Sequence, residues 1–217
     1  MTMNAAEYWE NRYRENGRSW SGSVNAALER EIAGIRSGSA LDLGSGEGGD
    51  ALWLAHNGWS VTAVDISATA LAIGAASEQP RDDITWVAAD LAEWHPPTRY
   101  DLVTSCFLHS EVHLPRESIL RRAAAAVAPG GIFLVVGHSG TPHWDRPDGA
   151  AHEHPVPELP TPDDVFTAVF ADDPASARLD PDDWTVLTNA IVERVATGAD
   201  GTSRAISDSV LTLRRIR

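Results

Sequence analysis

Leu41-Asp-Leu-Gly-Ser-Gly-Glu-Gly-Gly49 decides the fold, because this stretch joins a short apolar segment to a helical one through a glycine-rich loop. Glycine permits a tight turn and a close approach of the backbone to a ligand, which the loop amides and the next helix N-terminus can contact. The pattern therefore predicts a strand, a ligand-binding loop and a helix. Gly44, Gly46 and Gly49 also fit the G-x-G-x-x-G pattern of dinucleotide-binding proteins, so a nicotinamide cofactor and a purely structural turn both remain open.

Short apolar segments alternate with helical ones from residue 40 onwards. Such alternation is typical of parallel strands joined by right-handed helical crossovers. Two long alternating segments near the C-terminus flank a glycine-containing turn and predict a hairpin. The expected fold class is α/β: a Rossmann-like, doubly wound, mostly parallel sheet that ends in an antiparallel C-terminal hairpin, with a lid insertion. The predicted strands are 40–43, 60–64, 84–88, 100–105, 132–137, 184–196 and 203–215, and the predicted helices among them are 49–56, 67–77 and 115–127.

The rest of the chain adds a cap and a lid to this sheet within a single predicted domain. The interval 139–180 is rich in proline, aspartate and histidine. A long insertion between two strands of one sheet is usually functional or disordered, so we expect a lid here. It contains one short helix that begins near Thr161 and runs through Phe170. The predicted parts of the domain 1–217 are an N-terminal helical cap at 1–36 with helices at 5–16 and 24–36, a cofactor-binding core at 40–137, the lid insertion at 139–180 and a C-terminal strand pair at 184–215.

Charge and composition argue against several classes of protein. The 217 residues include 17 basic and 31 acidic ones, for a formal net charge of −14, and every basic residue is arginine. A surface this acidic repels phosphate backbones, so we expect no nucleic-acid partner. Lone Cys106 rules out an intramolecular disulfide and a cysteine-based zinc cluster, and no histidine spacing indicates a metal. The N-terminal segment is polar and no apolar run approaches the ~20 residues of a membrane span. We therefore expect a cytoplasmic monomer or homodimer without a membrane partner.

Two acidic residues follow predicted strands and sharpen the interpretation of the glycine loop. Asp65 ends the second strand, where a carboxylate can accept hydrogen bonds from both hydroxyls of a ribose. Asp90 follows the third strand, where a carboxylate can bind an adenine amino group. Either residue alone fits an ordinary helix N-cap. Together with the glycine loop they place three ligand-type features on one edge of the sheet, which favours a nucleoside-containing ligand.

The same stretches resemble the successive motifs of class I S-adenosylmethionine-dependent methyltransferases, in their order and at their usual spacing. The N-terminal aromatic residues and a motif after the fourth strand further resemble the small tellurite-resistance and thiopurine-type branch of that family. The resemblance covers roughly residues 5–137 and resumes at the terminal hairpin. The motifs are Asp42-Leu-Gly-Ser-Gly-Glu-Gly48, Val64-Asp65, Ala89-Asp90-Leu91, Tyr100-Asp-Leu-Val103 and Ala128-Pro-Gly-Gly-Ile132, with Tyr8-Trp9, Arg12-Tyr13, Ser19-Trp-Ser-Gly22 and Phe107-Leu-His109 for the branch.

This resemblance implies that the cofactor is S-adenosylmethionine and assigns residues to it. Asp42 would hold the ammonium group, and Asp65 the ribose. N-terminal aromatic and basic residues would cap the cofactor, although helix packing and surface charge explain those residues equally well. The remaining implied contacts are Gly44, Ser45, Gly46 and Gly48 with the methionine part, Ile66, Asp90 and Leu91 around adenine, the backbone at Ser105 and Cys106 with the amino-acid end, and Trp9, Arg14 and Trp20 as the cap.

The chemistry expected from the resemblance is transfer of a methyl group to an oxygen, nitrogen or sulfur atom of a small molecule. Such an acceptor must lose a proton, which a group that titrates near neutral pH can accept. His109 and His138 follow the fourth and fifth strands at the ligand edge and are the candidate catalytic residues, with loop capping as their alternative role. Two other functions remain open: an NAD-dependent oxidoreductase, and a non-catalytic regulatory protein that binds the cofactor.

Overall fold

The computed structural model describes residues 4–17, 22–77, 79, 81–139, 159–173, 178–197 and 203–217. Its helices are α1 (Ala5–Asn16), α2 (Ala26–Glu31), α3 (Gly49–His56), α4 (Ala68–Ala76), α5 (Arg116–Ala125) and α6 (Pro162–Phe170). Its strands are β1 (Ser39–Leu43), β2 (Ser60–Asp65), β3 (Ile84–Ala88), β4 (Tyr100–Cys106), β5 (Val127–Ser139), β6 (Trp184–Thr197) and β7 (Ser203–Arg215). None of the helices described in these ranges is long and apolar enough to cross a membrane.

These seven strands form one sheet in the order β3-β2-β1-β4-β5-β7-β6. Strands β1 to β5 run parallel, β7 runs antiparallel to β5, and β6 runs antiparallel to β7. The predicted fold class and the C-terminal hairpin are thus confirmed. The strand order reverses between β1 and β4, and open α/β sheets bind ligands beside such a switch point, at the carboxyl ends of the strands. The glycine loop lies there.

Helices cover both faces of the sheet and bury a core on each. Helices α5 and α6 pack on one face, where Leu41, Phe133 and Leu213 belong to the core. Helices α2 and α3 pack on the other, with Leu28 and Leu134 inside. Neighbouring residues 133 and 134 point to opposite cores, as the pleat of a strand requires. Full burial of such a side chain contributes roughly 1.5–3 kcal/mol, so the sheet is a rigid base for the polar groups at its edge.

Helix α2 is shorter than the predicted helix 24–36. The Asn25 side chain accepts hydrogen bonds from the backbone N–H groups of Ala27 and Leu28 and therefore starts the helix at residue 26. The helix ends at Ile32, and Gly34 adopts a φ of +76° that no helix contains. Leu28 and Ile32 are buried as the apolar spacing predicted. The prediction of one long helix was wrong because it ignored the glycine at position 34 as a stop signal.

Strand β5 is longer than the predicted strand 132–137, since it already begins at Val127. Tyr100 pairs with Val127, whereas Leu102 pairs with Ile132, so β5 accommodates extra residues in an irregularity opposite the start of β4. Gly130 lies in this irregularity with a φ of +83°. The Pro-Gly-Gly sequence at 129–131 thus forms a bulge inside the strand.

The predicted lid falls largely outside the described residues, because 140–158 and 174–177 are not among them. Its short helix is confirmed as α6. Thr161 and Asp164 form a capping box, in which each side chain accepts a hydrogen bond from the other residue's backbone N–H. This helix packs on α5 and buries Val165 and Val169, so it belongs to the core of the domain.

Two glycines of the β1–α3 loop are required by packing within the chain itself. A Cβ atom at Gly44, where φ is +70°, would lie 2.7 Å from Cδ1 of Leu108. A Cβ atom at Gly48, where φ is +76°, would lie 2.3 Å from the Trp86 ring. Real Cβ atoms do not approach a ring so closely, so a side chain at position 48 must displace the indole.

Gly48→Ala should therefore lower the free energy of unfolding by about 2–4 kcal/mol, as the sum of left-handed backbone strain and overpacking. Gly34→Ala is the matched control, because its φ is also +76° but nothing lies within 4 Å of its Cβ position. Its expected loss is about 1–2 kcal/mol. Equal losses for the two variants in denaturant unfolding would contradict the assigned role of Trp86.

Candidate active site

Asp42 is a deeply buried acidic residue at the carboxyl edge of the sheet. It lies on β1 and is 2% exposed, and its Oδ1 accepts a hydrogen bond of 3.0 Å from Thr104 Oγ1. Its Oδ2 has no hydrogen-bond partner among the described residues. Burial, together with the nearby Asp50 carboxylate, raises the Asp42 pKa to about 8. An ionised Asp42 is therefore costly unless a ligand supplies a positive charge or a donor.

Asp50 is a second carboxylate of this cluster and was not recognised from the sequence. It lies in the first turn of α3 and accepts a 2.6 Å hydrogen bond from the backbone N–H of Asn25. Burial raises the Asp50 pKa, and the nearby Cys106 thiol partly opposes that rise. Burial and the same carboxylate raise the Cys106 pKa well above its usual value, so the thiol remains protonated. Cys106 is thus a protonated thiol within the cluster rather than a nucleophile.

Asp65 lies at the end of β2, beside the glycine loop, as predicted. Its Oδ2 accepts a 2.8 Å hydrogen bond from the Gly46 N–H and its Oδ1 a 2.9 Å bond from the Ser67 N–H. Burial raises the Asp65 pKa despite these two donors. The neighbouring Ile66 is half-buried. Each carboxylate oxygen can accept more than one hydrogen bond, so the side chain retains acceptor capacity for a ligand hydroxyl.

Unsatisfied polar atoms concentrate at this edge of the sheet. Among the described residues, five buried side-chain atoms have no hydrogen-bond partner, and four of these lie at the carboxyl edge. Buried polar groups are normally paired, so a cluster of unpaired ones indicates a site that a polar ligand completes. The four atoms are Asp42 Oδ2, Ser45 Oγ, Ser105 Oγ and Asp208 Oδ1.

Helix α1 covers the edge and is anchored there by Glu10, a residue that sequence reasoning missed. Glu10 Oε2 accepts a 2.7 Å hydrogen bond from Ser67 Oγ, and Oε1 accepts one of 2.5 Å from Thr69 Oγ1. These bonds lower the Glu10 pKa to about 2. The backbone N–H of Ser67 also donates to Asp65. This series of hydrogen bonds links α1 to the residue predicted to bind the ribose.

The other side of α1 contacts the loop after β4. Trp9 Nε1 donates a 3.1 Å hydrogen bond to Ser110 Oγ, and Tyr8 donates one of 2.8 Å to Glu111. Trp9 thus lies at the edge as predicted. Arg14 is largely exposed and pairs with Glu10 at 3.1 Å, so it supports the helix and does not enter the polar cluster. Trp20, the third predicted cap residue, lies outside the described residues.

The loop after β4 is strained and touches the glycine loop. Phe107 has a φ of 55°, the one positive φ at a non-glycine position in the described part of the chain. Such strain persists only where the surroundings enforce it, often at functional sites. Leu108 follows and packs against Gly44, so the position of this loop and that of the glycine loop depend on each other.

The two candidate catalytic histidines lie side by side, as expected for neighbouring strands. Their rings are nearly parallel with centroids 5.7 Å apart, and the Phe107 ring stacks on His138 at 4.3 Å. His109 Nε2 accepts a 3.3 Å hydrogen bond from the backbone N–H of His138. Burial and the positive charge of Arg116 lower the His109 pKa to about 4, so this imidazole is neutral at physiological pH.

The predicted adenine residues lie at the end of β3 with ordinary structural contacts. Asp90 Oδ1 accepts a 2.8 Å hydrogen bond from the Ala92 N–H, which is the capping contact that its position also predicted. Leu91 is 6% exposed and packs in the core on the α5 side. The structure therefore does not bring these two residues into the polar cluster of Asp42, and their role at adenine stays a prediction.

The donor and acceptor set fits S-adenosylmethionine, the cofactor that the resemblance implies. Three desolvated carboxylates with raised pKa values lie close enough to influence one another, and a ligand with sulfonium and ammonium charges would complement them. The unpaired hydroxyls of Ser45 and Ser105 lie in the segments expected at its amino-acid end.

Asp42→Asn should stabilise the ligand-free protein. The folded-state pKa lies above the unfolded value, so ionisation of the unfolded chain penalises folding increasingly from about pH 4 to pH 8. Asparagine keeps the acceptor for Thr104 and removes that penalty. We expect the Tm gain to be at least about 3 °C larger at pH 8 than at pH 5, whereas exposed Asp82→Asn should shift Tm by less than about 1 °C at either pH. A pH-independent gain would contradict the buried-charge assignment.

Comparison with known proteins gives one consistent result. A family described as a methyltransferase domain matches residues 40–131. The 2-heptyl-1-hydroxyquinolin-4(1H)-one methyltransferase of Mycobacteroides abscessus is 30% identical over 195 residues, which cover 82% of this chain and 83% of that protein. Among solved structures, N-methyltransferase NodS from Bradyrhizobium japonicum, in complex with S-adenosyl-l-homocysteine, has a TM-score of 0.67 at 15% identity and covers 99% of this chain and 100% of its own.

A second solved structure bears on the predicted branch. TehB from Haemophilus influenzae has a TM-score of 0.62 at 18% identity, over 96% of this chain and 67% of its own. This likeness concerns the fold, and the assignment to the small tellurite-resistance and thiopurine-type branch stays a prediction. The family match and the similarity to the Mycobacteroides enzyme also decide between the two cofactor interpretations of the glycine loop. The chain belongs to the class I S-adenosylmethionine-dependent methyltransferases.

Proposed function

We propose that this enzyme methylates an acidic hydroxyl group on a planar heteroaromatic small molecule. The observation that carries the proposal is the stack of Phe107, His138 and His109 beside the glycine loop, with interplanar angles of 23° and 16°. Half-buried rings with a few polar atoms are typical of pockets for flat aromatic ligands. The Mycobacteroides relative, whose name specifies a hydroxyquinolone, supports the same class of acceptor.

The chain's own residues have three tasks in this reaction. S-adenosylmethionine, when bound, supplies a methyl group that its sulfonium already activates. Asp42 and Asp65, with Ser45 and Ser105, bind and orient the cofactor through the acceptors and donors described above. Helix α1, held by Glu10, covers the edge and excludes water. Alignment and exclusion of water provide most of the acceleration for such a transfer.

Of the two histidines, His138 is our candidate for the residue that accepts the acceptor's proton. His109 uses Nε2 to accept the His138 N–H, and its pKa of about 4 makes it a weak base. Its proposed role is to hold the loop after β4 against β5, while its other nitrogen, Nδ1, carries the proton and can donate to the acceptor. This division of roles follows from the tautomer that the backbone contact requires.

The remaining sequence-based expectations belong to the same proposal. The net charge of −14 favours a neutral or cationic small molecule, or a compact anion, over nucleic acid. A cytoplasmic location and a monomeric or homodimeric state are retained as predictions.

Incubation with S-adenosylmethionine and a panel of acceptors tests the function. The panel contains N-hydroxyquinolones, hydroxyquinolines, phenols, aliphatic amines and thiols, and formation of S-adenosylhomocysteine and of methylated product is measured by mass spectrometry. We expect kcat/KM for the heteroaromatic hydroxyls to exceed that for aliphatic amines by at least about 100-fold. Preference for an aliphatic acceptor would contradict the proposed class, and cofactor binding without turnover on any acceptor would instead favour a regulatory protein.

Glu10→Gln tests the proposed role of α1. The carboxylate accepts charge-assisted hydrogen bonds from Ser67 and Thr69, and glutamine can replace only part of them. Affinity for S-adenosylmethionine should fall by about 5–20-fold, because α1 no longer closes against the β2–α4 loop. Glu7→Gln, an exposed position on the same helix, is the control and should change affinity by less than about twofold. If calorimetry gave both variants the same affinity for S-adenosylmethionine, α1 would not contribute to the cofactor site.

A further inference from the structure

We propose that Asp208 is a positioning residue for the methyl transfer, because it forms a carboxylate–imidazole pair with His138 across strands β7 and β5. The pair would orient His138 so that its other ring nitrogen faces the acceptor. This inference rests on the proposed function for the identity of the acceptor. The pairing itself concerns only residues of this chain and can be tested without turnover.

The register of the sheet places the two side chains opposite each other. His138 and Asp208 are direct partners in the antiparallel β5–β7 ladder, where opposite side chains lie on the same face. His138 Nδ1 lies 3.8 Å from Asp208 Oδ1. That oxygen is buried and has no hydrogen-bond partner among the described residues. It is therefore available for the Nδ1 proton after a small rotation of either side chain.

Arg194 on β6 keeps Asp208 ionised. Its Nε donates a hydrogen bond to Oδ2, the carboxylate oxygen that does not face the histidine. Burial raises the pKa of Asp208, but the contacts with His138 and Arg194 outweigh burial, and the pKa lies below its usual value. The guanidinium also lies 5.6 Å from the centre of the Phe107 ring, which stacks on His138. One carboxylate thus connects the arginine to the ring stack.

The Asp208–His138 pair belongs to a continuous row of polar residues along the carboxyl edge of the sheet. Successive strands of the sheet carry inward-facing polar residues on the α2–α3 face at the carboxyl edge. Asp42 is opposite Thr104 in the β1–β4 ladder, and Cys106 is two residues further along β4. Asp42 on one side of Cys106 in this row and Asp208 on the other both raise the pKa of the Cys106 thiol. The row, in strand order, is Asp42 on β1, Thr104 and Cys106 on β4, His138 on β5, Asp208 on β7 and Arg194 on β6.

The free-energy cost of burying the charged Asp208 side chain argues against a purely structural role for this residue. Asp208 is 3% exposed and precedes a strand segment whose successive residues Val210 and Leu211 fill the two cores. Burying an ion pair seldom stabilises a fold compared with apolar residues of similar size. A charged pair beside the histidine at the ligand edge therefore indicates a functional use. In the part of the chain that the structure describes, the other charged or titratable groups around the Asp208–His138 pair are His109, Cys106 and Arg116. Arg116 donates to the carbonyl oxygen of Leu108.

The proposed step is a single proton transfer coupled to methyl transfer. The O–H bond of the acceptor breaks and its proton goes to Nε2 of His138, while Nδ1–H points to Asp208. The electron pair left on the acceptor oxygen forms the new bond to the methyl carbon, and the bond from that carbon to sulfur breaks with its pair on sulfur. The proton then leaves His138 to solvent. No further reactant is required.

A series of acceptors of increasing acidity tests the pair. With a weakly acidic hydroxyl we expect His138→Gln to lower kcat by about 100-fold or more and Asp208→Asn by about 30-fold. With a hydroxyl that is already ionised at the assay pH, both losses should shrink to less than about threefold, because no proton remains to be removed. Asp101→Asn makes the same charge change at the opposite edge of the sheet, where the side chain binds Ser39, and should lose less than about twofold. Affinity for the cofactor should be unchanged in Asp208→Asn.

Losses that do not depend on acceptor acidity would mean that the substitutions damage the fold, and would overturn the proposal. So would an Asp208→Asn variant within twofold of the wild-type kcat on the weakly acidic acceptor.

Nitrogen-15 NMR of the histidine rings gives an independent answer, with the His138 signals identified by their loss in His138→Gln. We expect the proton of the neutral ring on Nδ1 in the wild type and a mixture of tautomers in Asp208→Asn. A proton on Nε2 in both would contradict the pair even if no acceptor were turned over, whereas the expected tautomer without turnover would contradict only the proposed function.

Discussion

The buried carboxylate of Asp42 is the constraint on which the site depends. It lies near the carboxyl end of β1, beside the switch point of the sheet, where burial and its acidic neighbours oppose its ionisation. A fold that keeps three such groups together sacrifices stability in the ligand-free state, which proteins tolerate at functional sites. A ligand with sulfonium and ammonium charges would relieve this repulsion. The geometry therefore favours a cationic ligand before any specific contact to it is considered.

Two contacts connect the cofactor side of the edge to the acceptor side. Leu108 of the loop after β4 packs on Gly44, and α1 bonds to the β2–α4 loop through Glu10 and to the β4–α5 loop through Trp9. Movement of one loop must therefore alter the other. Ordering of the glycine loop by the cofactor would position Phe107 and the histidines for the acceptor, which is how alignment at one site assists chemistry at the next.

The sequence predicted the parts of the site that are local in the chain. Asp65 was recognised because it directly ends a strand, and the edge of a parallel sheet brings strand ends together. Asp42 was recognised because the motif that contains it resembles that of the family. Glu10, Asp50 and Asp208 were missed, since their partners lie far away in sequence: Glu10 binds Thr69, Asp50 binds Asn25, and Asp208 faces His138. The predicted helix 24–36 was longer than α2 because the apolar spacing continues past Gly34, a glycine at which the helix cannot continue. Local patterns predict elements, and only the register of the sheet reveals the polar row.

Calorimetry of S-adenosylmethionine binding in buffers of different ionisation enthalpy tests the central claim most directly. With a pKa of about 8, Asp42 is mostly protonated in the ligand-free protein at pH 7, and a bound cation favours its ionised form. Binding should therefore release on the order of half a proton or more per site at pH 7, and Asp42→Asn should lose this release together with much of the affinity. Binding without proton release, with equal affinity in the variant, would contradict the role of the buried carboxylate.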